Sequence, residues 1–329
     1  MSTISFPNLF GGLDIKVSRI AFTLFGIEVY WYGLIIGIAF CLAVLLVLRD
    51  IKKYQIKEDD IINLLLFAVP VAIIFARLFY VLFFSGKTWT FVEMLNIRDG
   101  GLAIYGAIIG GLLTGFIYAK IKKINFLDMA DLALPYLALA QAIGRWGNFV
   151  NQEAFGTNTT LPWGMTSLSI QNEIVRLNAF EGMSLNPNIP VHPTFLYESL
   201  WSFAVFILLY ALSRNRKFRG QIFCLYMATY GIGRMFIEGL RTDSLMLGNI
   251  RISQLLGLVF FIVFGGVVAY IYLTGRKVRK ETEETQELET GKSEYSEILS
   301  KKIVLSPDEK RPETEAEPKD ETDQETGKE

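Results

Sequence analysis

The chain has 329 residues, of which 51% are hydrophobic, and its mean hydropathy is +0.35. This apolar content lies above the roughly 45 to 50% of soluble domains, so the composition argues against a soluble protein and predicts a membrane protein. The formal net charge of −1 is the sum of a net positive part and a net negative part of the chain. Residues 1–275 carry 21 Lys and Arg against 16 Asp and Glu, whereas residues 276–329 carry 11 against 17.

The N-terminal segment, residues 1–26, precedes the first apolar run. It lacks the basic start, short apolar stretch and small-residue cleavage site of a removable signal peptide. We therefore expect it to form an arm outside the membrane, and we expect the first spanning helix to act as the targeting signal.

Seven apolar runs approach the roughly 20 residues that a helix needs to cross a bilayer. They lie at about 27–48, 61–84, 101–119, 127–143, 195–213, 221–240 and 252–273. The fourth run is the weakest because Asp128, Asp131 and Pro135 interrupt it, so a protein with six spans stays open. The sequence predicts an all-α polytopic membrane protein with about seven transmembrane helices in residues 27–275.

Basic residues in alternate connections favour the count of seven. They follow the first, third, fifth and last runs: Arg49, Lys52, Lys53 and Lys57, then Lys120, Lys122 and Lys123, then Arg214, Arg216, Lys217 and Arg219, and finally Arg276, Lys277, Arg279 and Lys280. Because Lys and Arg mark the cytoplasmic side, we expect the N-terminus outside and the C-terminus in the cytoplasm. The charged tail, residues 276–329, has almost no aromatic residues and is expected to be a disordered cytoplasmic extension.

Several familiar chemistries are excluded by residue counts and missing motifs. Cys41 and Cys224 lie in separate apolar runs without CxxC spacing, and the chain has one histidine, so a disulfide or a zinc site is not expected. No P-loop, dinucleotide motif or GxSxG sequence is present. We expect no metal, no cofactor and no nucleic acid partner. A nucleophile would have to arrive with a substrate.

Most polar residues inside the predicted spans fall near the outer side. They are Tyr32, Arg77, Tyr105, Arg145, His192, Tyr197 and Glu198, followed by Tyr230, Arg234, Glu238 and Arg241 in the sixth span. The last four are spaced so that they share one helical face. Arg234 lies six or seven residues, about 10 Å, from the helix end and therefore at acyl-chain depth. Ionisable groups at that depth cost a few kcal/mol each and indicate a functional site.

Arginines within this set are accompanied by glutamates that could balance their charge. They are Arg77, Arg145 and Arg234, with Glu153, Glu198 and Glu238. Together they predict an anion-binding site open to the outer leaflet rather than three unrelated ion pairs. For Arg77 alone, pairing with a carboxylate or snorkelling to the surface is favoured.

Residues 144–156 read GRWGNFVNQEAFG and combine one arginine, two asparagines and a glutamate with three glycines. A guanidinium beside glycines, where backbone can approach a ligand, suits an anionic oxygen such as a phosphate. The alternative is a glycine-rich turn whose arginine snorkels to the membrane surface. The long connection at 146–193 is predicted to form a small extracytoplasmic loop domain that faces the substrate.

Four stretches together resemble the bacterial prolipoprotein diacylglyceryl transferase family. They read WYG at 31–33, GRWGNFVNQEAFG at 144–156, HPTFLYE at 192–198 and YGIGRMFIEGLR at 230–241. The resemblance covers residues from about 20 to 275. It implies a seven-helix enzyme of the bacterial plasma (inner) membrane that moves the sn-1,2-diacylglyceryl group of phosphatidylglycerol to the lipobox cysteine thiol of a prolipoprotein and releases glycerol phosphate. Membrane lipids and prolipoprotein signal peptides are the implied partners, and no metal is required.

The resemblance also implies roles for particular residues. Arg145 and Arg234 would hold the lipid phosphate and lower the pKa of the incoming thiol, while Asn148 and Tyr32 would help to orient the phosphate. Glu238 would fix the guanidinium of Arg234, and Glu153 could do the same for Arg145. Other polar residues are expected to contact substrate: Arg77, Asn151, His192, Glu198, Tyr230 and Arg241.

One position departs from the family pattern. Many members have a histidine in the Gly-Gly stretch of the third helix, proposed as the base that takes the thiol proton, whereas residues 100–106 here read GGLAIYG with Tyr105. Tyrosine titrates near pH 10 and is a poor base, so Tyr105 either donates a hydrogen bond to the phosphate or depends on a neighbouring carboxylate. For His192, which precedes Pro193, capping of the following helix is favoured over proton shuttling.

A lipid or anion carrier that uses the same arginines is the competing class. A permeation path would need polar groups in the inner half of the bilayer, where the predicted spans are nearly bare apart from Asp128 and Asp131. The chain also lacks the paired broken helices and internal repeats that are common in transporters. Both observations favour an enzyme.

Overall fold

The computed structural model describes residues 2–83, 89–96, 100–180, 182–242, 246–247 and 250–275. The nine helices of these residues are α1 Trp31–Asp50, α2 Glu58–Phe83, α3 Phe91–Leu95, α4 Ile104–Lys122, α5 Phe126–Asn151, α6 Leu168–Phe180, α7 Thr194–Ser213, α8 Gln221–Ile237 and α9 Ile252–Gly275. Six of them, α1, α2, α4, α5, α7 and α9, are long and apolar enough to cross a membrane. The predicted class of all-α polytopic membrane protein is therefore confirmed, while the predicted tail lies outside the described residues.

The sixth predicted span differs from the other six because its α-helix is short. Helix α8 has 17 residues and continues as a 3-10 turn, Glu238–Leu240. At 1.5 Å per residue α8 is about 25 Å long, and the turn adds about 6 Å. Only the two together approach the roughly 30 Å of a bilayer core, so the count of seven spans stays a prediction.

The N-terminal arm consists of two β-hairpins. Strands β1 (Ser2–Phe6) and β2 (Leu13–Val17) pair antiparallel, as do β3 (Ile20–Leu24) and β4 (Ile27–Tyr30). The prediction that the first span begins at residue 27 was therefore wrong by four residues. The sequence IEVY of β4 is rich in β-branched and aromatic residues, which favour a strand over a helix.

Helix α5 extends eight residues past the predicted end at 143, and the glycine-rich stretch is helical as far as Asn151. The alternative of a glycine-rich turn does not hold for residues 144–151, which are helical, and the connecting domain begins after Asn151 rather than at residue 146. The glycines serve helix packing. A Cβ atom on Gly147 would lie 2.8 Å from Cδ2 of Tyr32, and one on Gly144 would lie 3.1 Å from Cδ1 of Ile36, so small residues here let α1 approach α5.

Residues 152–193 pack together with the first hairpin around one apolar core. The buried members are Ile4, Phe6, Phe155, Met165, Ile170, Ile174, Leu177, Val191 and Phe195. The backbones of Ser5 and Thr166 exchange two hydrogen bonds of 2.8 Å, which join the N-terminal hairpin to the connection between α5 and α7. The two segments that were predicted separately thus form one small unit at the start of α1 and the end of α5.

The other end of the bundle explains the two aspartates that interrupt α5. The carboxylate of Asp131 is fully buried and accepts the backbone N–H groups of Gly220 and Phe223 at 2.8 Å each. These groups lie at the N-terminus of α8, where N–H donors have no partner within the helix and the macrodipole is positive. Arg216 contacts both Asp131, at 3.1 Å, and Asp128, at 2.6 Å. Asp131 therefore caps α8 from a neighbouring helix.

Replacement of Asp131 by Ala should lower the free energy of unfolding by about 3 to 5 kcal/mol, because it removes one partner of a buried ionic network. Glu173→Gln is the matched control, since the ion pair of Glu173 with Arg176 is exposed and should contribute less than about 1 kcal/mol. The melting temperatures of both variants in the same detergent provide the measurement. Equal melting temperatures would show that Asp131 does not stabilise α8.

Candidate active site

Three arginines from two parts of the bundle meet around two glutamates, and we call these five residues the arginine cluster. Arg145 of α5 and Arg241, which follows α8, both contact the carboxylate of Glu198 on α7. Arg145 contacts the Oε2 atom of Glu198, and Nη1 of Arg241 lies 2.6 Å from its Oε1 atom. Arg234 of α8 contacts Glu238 at 2.8 Å. The charges of Arg234 and Arg241 both act on Arg145, so the three guanidinium groups are near one another.

The arginine cluster carries one more positive than negative charge. Its residues differ in how far their side chains are exposed to solvent. The side chains of Arg145 and Arg234 are each 27% exposed, that of Arg241 is 11% exposed, and both glutamates are buried. In the described part of the chain, Nε and Nη1 of Arg145 and Nη2 of Arg234 have no protein partner. A largely buried cluster with an excess positive charge and free donors favours a bound anion.

The contacts of Arg234 agree with the four-residue spacing of Tyr230, Arg234 and Glu238 in the sixth predicted span. Its Nε donates to the hydroxyl of Tyr230 at 3.1 Å, and its Nη1 donates to Glu238, one turn away on each side. The expectation that Arg241 shares this helical face was wrong, because α8 ends at Ile237 and Arg241 has extended backbone after the 3-10 turn. Arg241 therefore reaches across to Glu198.

Glu153 does not contact Arg145, contrary to the prediction. The guanidinium of Arg145 forms an ion pair with Glu198 instead. The Oε1 atom of Glu153 instead accepts hydrogen bonds from the side-chain amides of Asn148, at 2.9 Å, and Asn151, at 3.3 Å. Both asparagines lie in the last turn of α5, and the chain turns back there. The Glu153 side chain is exposed, and its Oε2 has no hydrogen-bond partner among the residues described. Glu153 is thus a carboxylate held by neutral groups alone.

Tyr32 joins this region from the beginning of α1. Its ring lies against Gly147 of α5, and the charges of Glu153 and Arg145 both act on its phenol group. The WYG stretch and the glycine-rich stretch, which lie far apart in sequence, are therefore adjacent in the fold. Tyr32 and Glu153 stand at the edge of the arginine cluster.

Arg77 has a different role from the one predicted. It is buried and donates to four backbone carbonyls, those of Met94 at 3.0 Å, Gly100 at 2.9 Å, Gly101 at 3.0 Å and Glu93 at 2.5 Å. It contacts neither the arginine cluster nor a carboxylate within the described ranges. Backbone carbonyls in a low-dielectric region need donors, and Arg77 supplies four of them to the segment that leads into α4.

Tyr105 lies in the first turn of α4, directly after the segment that Arg77 orders. Its side chain is 45% exposed, and its hydroxyl has no hydrogen-bond partner in the part of the chain that the structure describes. Neither a carboxylate nor an arginine contacts it there. The idea that a neighbouring carboxylate makes Tyr105 a base therefore finds no support in its contacts.

His192 does not cap α7, although capping was the favoured prediction. The N-cap of α7 is Pro193 without a side-chain cap, whereas Nδ1 of His192 lies 3.1 Å from the hydroxyl of Tyr197. That hydroxyl accepts a 2.7 Å hydrogen bond from Nε1 of Trp163, so Trp163, Tyr197 and His192 are joined in one chain of hydrogen bonds. Sequence reasoning missed this contact of Trp163, since no spacing links it to Tyr197.

Comparison with known proteins agrees with the four motifs. A sequence model of the family described as prolipoprotein diacylglyceryl transferase matches residues 19–272. The chain is 45% identical to the phosphatidylglycerol–prolipoprotein diacylglyceryl transferase of Clostridioides difficile over 269 residues, which are 82% of this chain and 100% of that relative. Proteins of the same name from Finegoldia magna and Bacillus cytotoxicus are 43% and 45% identical over 78% and 75% of this chain, and over 95% and 90% of their own length. The predicted resemblance is confirmed.

Acidification should destabilise the protein through His192, because partial burial lowers the pKa of its ring. The unfolded chain, in which histidine titrates near pH 6.5, then binds a proton before the folded chain does. Stability is therefore lost as the pH falls below about 6.5 toward the lower pKa of the folded state. Melting temperatures of wild type and His192→Gln at pH 7.5 and 5.5 test this.

The chain has a single histidine, so the difference between wild type and His192→Gln isolates its contribution from those of the carboxylates. We expect the wild type to lose more of its melting temperature on acidification than the variant does. An equal loss would contradict a neutral, hydrogen-bonded ring in the folded protein.

Proposed function

Since the chain belongs to the prolipoprotein diacylglyceryl transferase family, we propose that Arg145 and Arg234 bind the phosphate of phosphatidylglycerol while its diacylglyceryl group is transferred. The enzyme carries out the first step of lipoprotein lipidation, in which this group moves to a prolipoprotein. The acceptor in our proposal is the thiol of a lipobox cysteine at the end of the prolipoprotein signal peptide. The excess positive charge of the arginine cluster is the observation that carries the proposal.

The charge of the cluster suits the lipid. A phosphodiester bears one negative charge, which equals the excess of three arginines over two glutamates in the cluster. Arg145 and Arg234 keep exposed surface and free N–H donors, and guanidinium groups bind phosphate oxygens with paired hydrogen bonds. Arg241, which is more buried and contacts Glu198, holds that carboxylate in position instead.

The same arginines favour the reaction itself. The cysteine sulfur forms a bond to the glyceryl carbon, and the bond between that carbon and the phosphate oxygen breaks, so the electron pair leaves with glycerol phosphate. The phosphate then changes from a singly charged diester to a monoester that develops a second negative charge. Two guanidinium groups stabilise this developing charge more than the initial one, which is the condition for lowering a barrier.

Glu153 is our proposal for the proton acceptor. Glu198 and Glu238 are each held by guanidinium groups, whereas among the described residues Glu153 is held only by Asn148 and Asn151 and keeps one oxygen free. The thiol proton passes to this oxygen, and the nearby arginines stabilise the thiolate that remains. In this assignment the two asparagines orient the base rather than the phosphate.

Other predicted residues contribute to substrate binding in this proposal. The hydroxyl groups of Tyr32 and Tyr105 donate hydrogen bonds to the lipid, and Tyr230 supports Arg234. His192 and Tyr197 join the connecting domain to α7, where the prolipoprotein approaches. Arg77 acts indirectly, through the segment that positions Tyr105.

We also propose the orientation that the basic connections indicate. The arginine cluster then lies toward the outer leaflet of the bacterial plasma membrane, with the N-terminus outside and the C-terminus in the cytoplasm. The unit formed by the first hairpin and residues 152–193 is extracytoplasmic in this arrangement. A prolipoprotein whose signal peptide is still in the membrane presents its cysteine at that surface.

Removal of either arginine should slow transfer strongly. We expect Arg145→Gln and Arg234→Gln to reduce the rate by about 10² to 10³, as loss of a charge-stabilising donor does, with Arg234→Lys intermediate. The assay follows a labelled diacylglyceryl group from phosphatidylglycerol to a lipobox peptide in detergent. Arg176→Gln, at the exposed surface pair, serves as the control.

Two further controls separate this proposal from a carrier. A lipobox peptide with Ser in place of Cys should accept no label. If folded wild-type protein binds phosphatidylglycerol and moves it across vesicles but labels no peptide, the carrier interpretation is correct. Variants that melt like the wild type and transfer at its rate would exclude Arg145 and Arg234 from the reaction.

Glu153→Gln should lower the rate at pH 7 by about 10² to 10⁴, which is the usual contribution of a general base. Its residual rate should rise about tenfold per pH unit as the thiolate fraction of the peptide increases. Gln keeps an oxygen that can accept from Asn148 and Asn151, so the fold is preserved. Glu153→Asp is the matched variant and should retain more activity with a pH profile of the wild-type form.

Tyr105→Phe tests the alternative base in the same assay. We expect a loss of less than about tenfold, as for one neutral hydrogen bond, with no change in the shape of the pH profile. A large, pH-dependent loss for Tyr105→Phe together with a wild-type rate for Glu153→Gln would assign the base to Tyr105.

A further inference from the structure

A second group of cations lies at the opposite end of the bundle from the arginine cluster. It surrounds Tyr210 near the end of α7, and we call Arg49, Lys53, Arg214 and Tyr210 the Tyr210 cluster. Arg49 and Arg214 both donate through Nη2 to the hydroxyl of Tyr210, at 3.2 and 3.1 Å. All three cations lie between 5.1 and 5.9 Å from the centre of its ring. Arg49 is 17 residues from Tyr32 on α1, a separation of roughly 25 Å.

The Tyr210 cluster has too few carboxylates to balance its charge. Asp50 is the only acidic partner of these cations in the described residues, and it accepts from Arg49 at 3.2 Å, from Lys53 at 2.9 Å and from the hydroxyl of Tyr136 at 2.5 Å. Three cations against one buried carboxylate leave an excess of two positive charges. The three cations surround one tyrosine ring, so their like charges repel one another. A bound anion would reduce that repulsion.

Arg214 is the clearest case within the cluster. Its partner in the residues that the structure describes is the neutral hydroxyl of Tyr210, and no carboxylate there contacts it. The guanidinium keeps donors for a further acceptor. A phosphate with oxygens shared between Arg49 and Arg214 would satisfy both groups.

The surroundings of the Tyr210 cluster are those of a lipid site. Helices α1 and α7 both pack against α5, and the rings of Tyr136, Phe206 and Tyr210 contact one another between them. Nearby side chains on the same two helices are apolar and exposed, including Leu45 at 64% and Ile207 at 52%. A cationic group at the end of an apolar helix surface matches a phospholipid, whose phosphate and acyl chains are covalently joined.

We propose that the Tyr210 cluster binds the phosphate of an anionic phospholipid in the leaflet that faces this end of the bundle. The lipid is distinct from the one whose diacylglyceryl group is transferred, because Glu198 of the arginine cluster and Tyr210 lie toward opposite ends of α7. Its phosphate contacts Arg49 and Arg214, and one acyl chain lies along Leu45 and Ile207. Bound there, the lipid offsets the repulsion among the three cations and holds the ends of α1 and α7 against α5.

The test is native mass spectrometry of the full-length protein with phosphatidylglycerol, phosphatidylcholine or inorganic phosphate. The Arg49→Gln/Arg214→Gln variant should retain one phosphatidylglycerol fewer than wild type, with at least tenfold weaker binding of that molecule. Lys57→Gln/Lys120→Gln removes two basic residues at the same end, outside the cluster, and should keep the wild-type count. Transfer of the diacylglyceryl group to a lipobox peptide, measured at saturating lipid, reports separately on the arginine cluster at the other end of the bundle.

Several outcomes would overturn the proposal. Equal lipid counts for wild type and the arginine variant would exclude the site. An equal loss in the lysine control would show attraction of the leaflet to basic residues in general, and binding of inorganic phosphate without lipid selectivity would show a free-anion site. If the double variant fails to fold, Arg214→Gln alone provides the comparison, because Arg214 is exposed.

Discussion

The position of Glu198 between Arg145 and Arg241 is the interaction on which the rest of the site depends. One buried carboxylate ties together the end of α5, the start of α7 and the chain after α8. Two guanidinium groups on one carboxylate leave an excess of positive charge, and Arg234 with Glu238 adds none. The five residues of the arginine cluster therefore carry one positive charge more than they balance among themselves, and an isolated arginine inside a membrane would be costly. In the proposed function, the phosphate of the anionic lipid balances this charge.

The sequence predicted the parts of the molecule that depend on local spacing. Apolar run length located six of the helices, and the four-residue spacing of Arg234 and Glu238 predicted their ion pair, because residues one turn apart on a helix are neighbours. Family motifs predicted the residues of the arginine cluster, which the structure brings together. Helix ends were less accurate, since α5 continues through a stretch whose glycines suggested a turn but serve contact with α1.

The contacts that decide roles at the site could not be predicted in this way. Arg145 and Glu198 are 53 positions apart in the sequence, so their pairing depends on how α5 and α7 pack. Glu153 was assigned to Arg145 because it was the nearest carboxylate in sequence, yet the turn after α5 brings it to two asparagines. Arg77 satisfies backbone carbonyls, and no pattern of residue types distinguishes such an arginine from one that binds a ligand.

Helix α8 gives a further consequence. Its N-terminus, where the macrodipole is equivalent to roughly half a positive elementary charge, is capped by the carboxylate of Asp131, and its last turn carries the ion pair of Arg234 with Glu238. The N–H groups that donate to Asp131 do not need water as a partner. Each added turn would carry Arg234 about 5.4 Å along the helix axis. Under the proposed role of Arg234, the length of α8 therefore sets the position along the helix axis at which the lipid phosphate is bound.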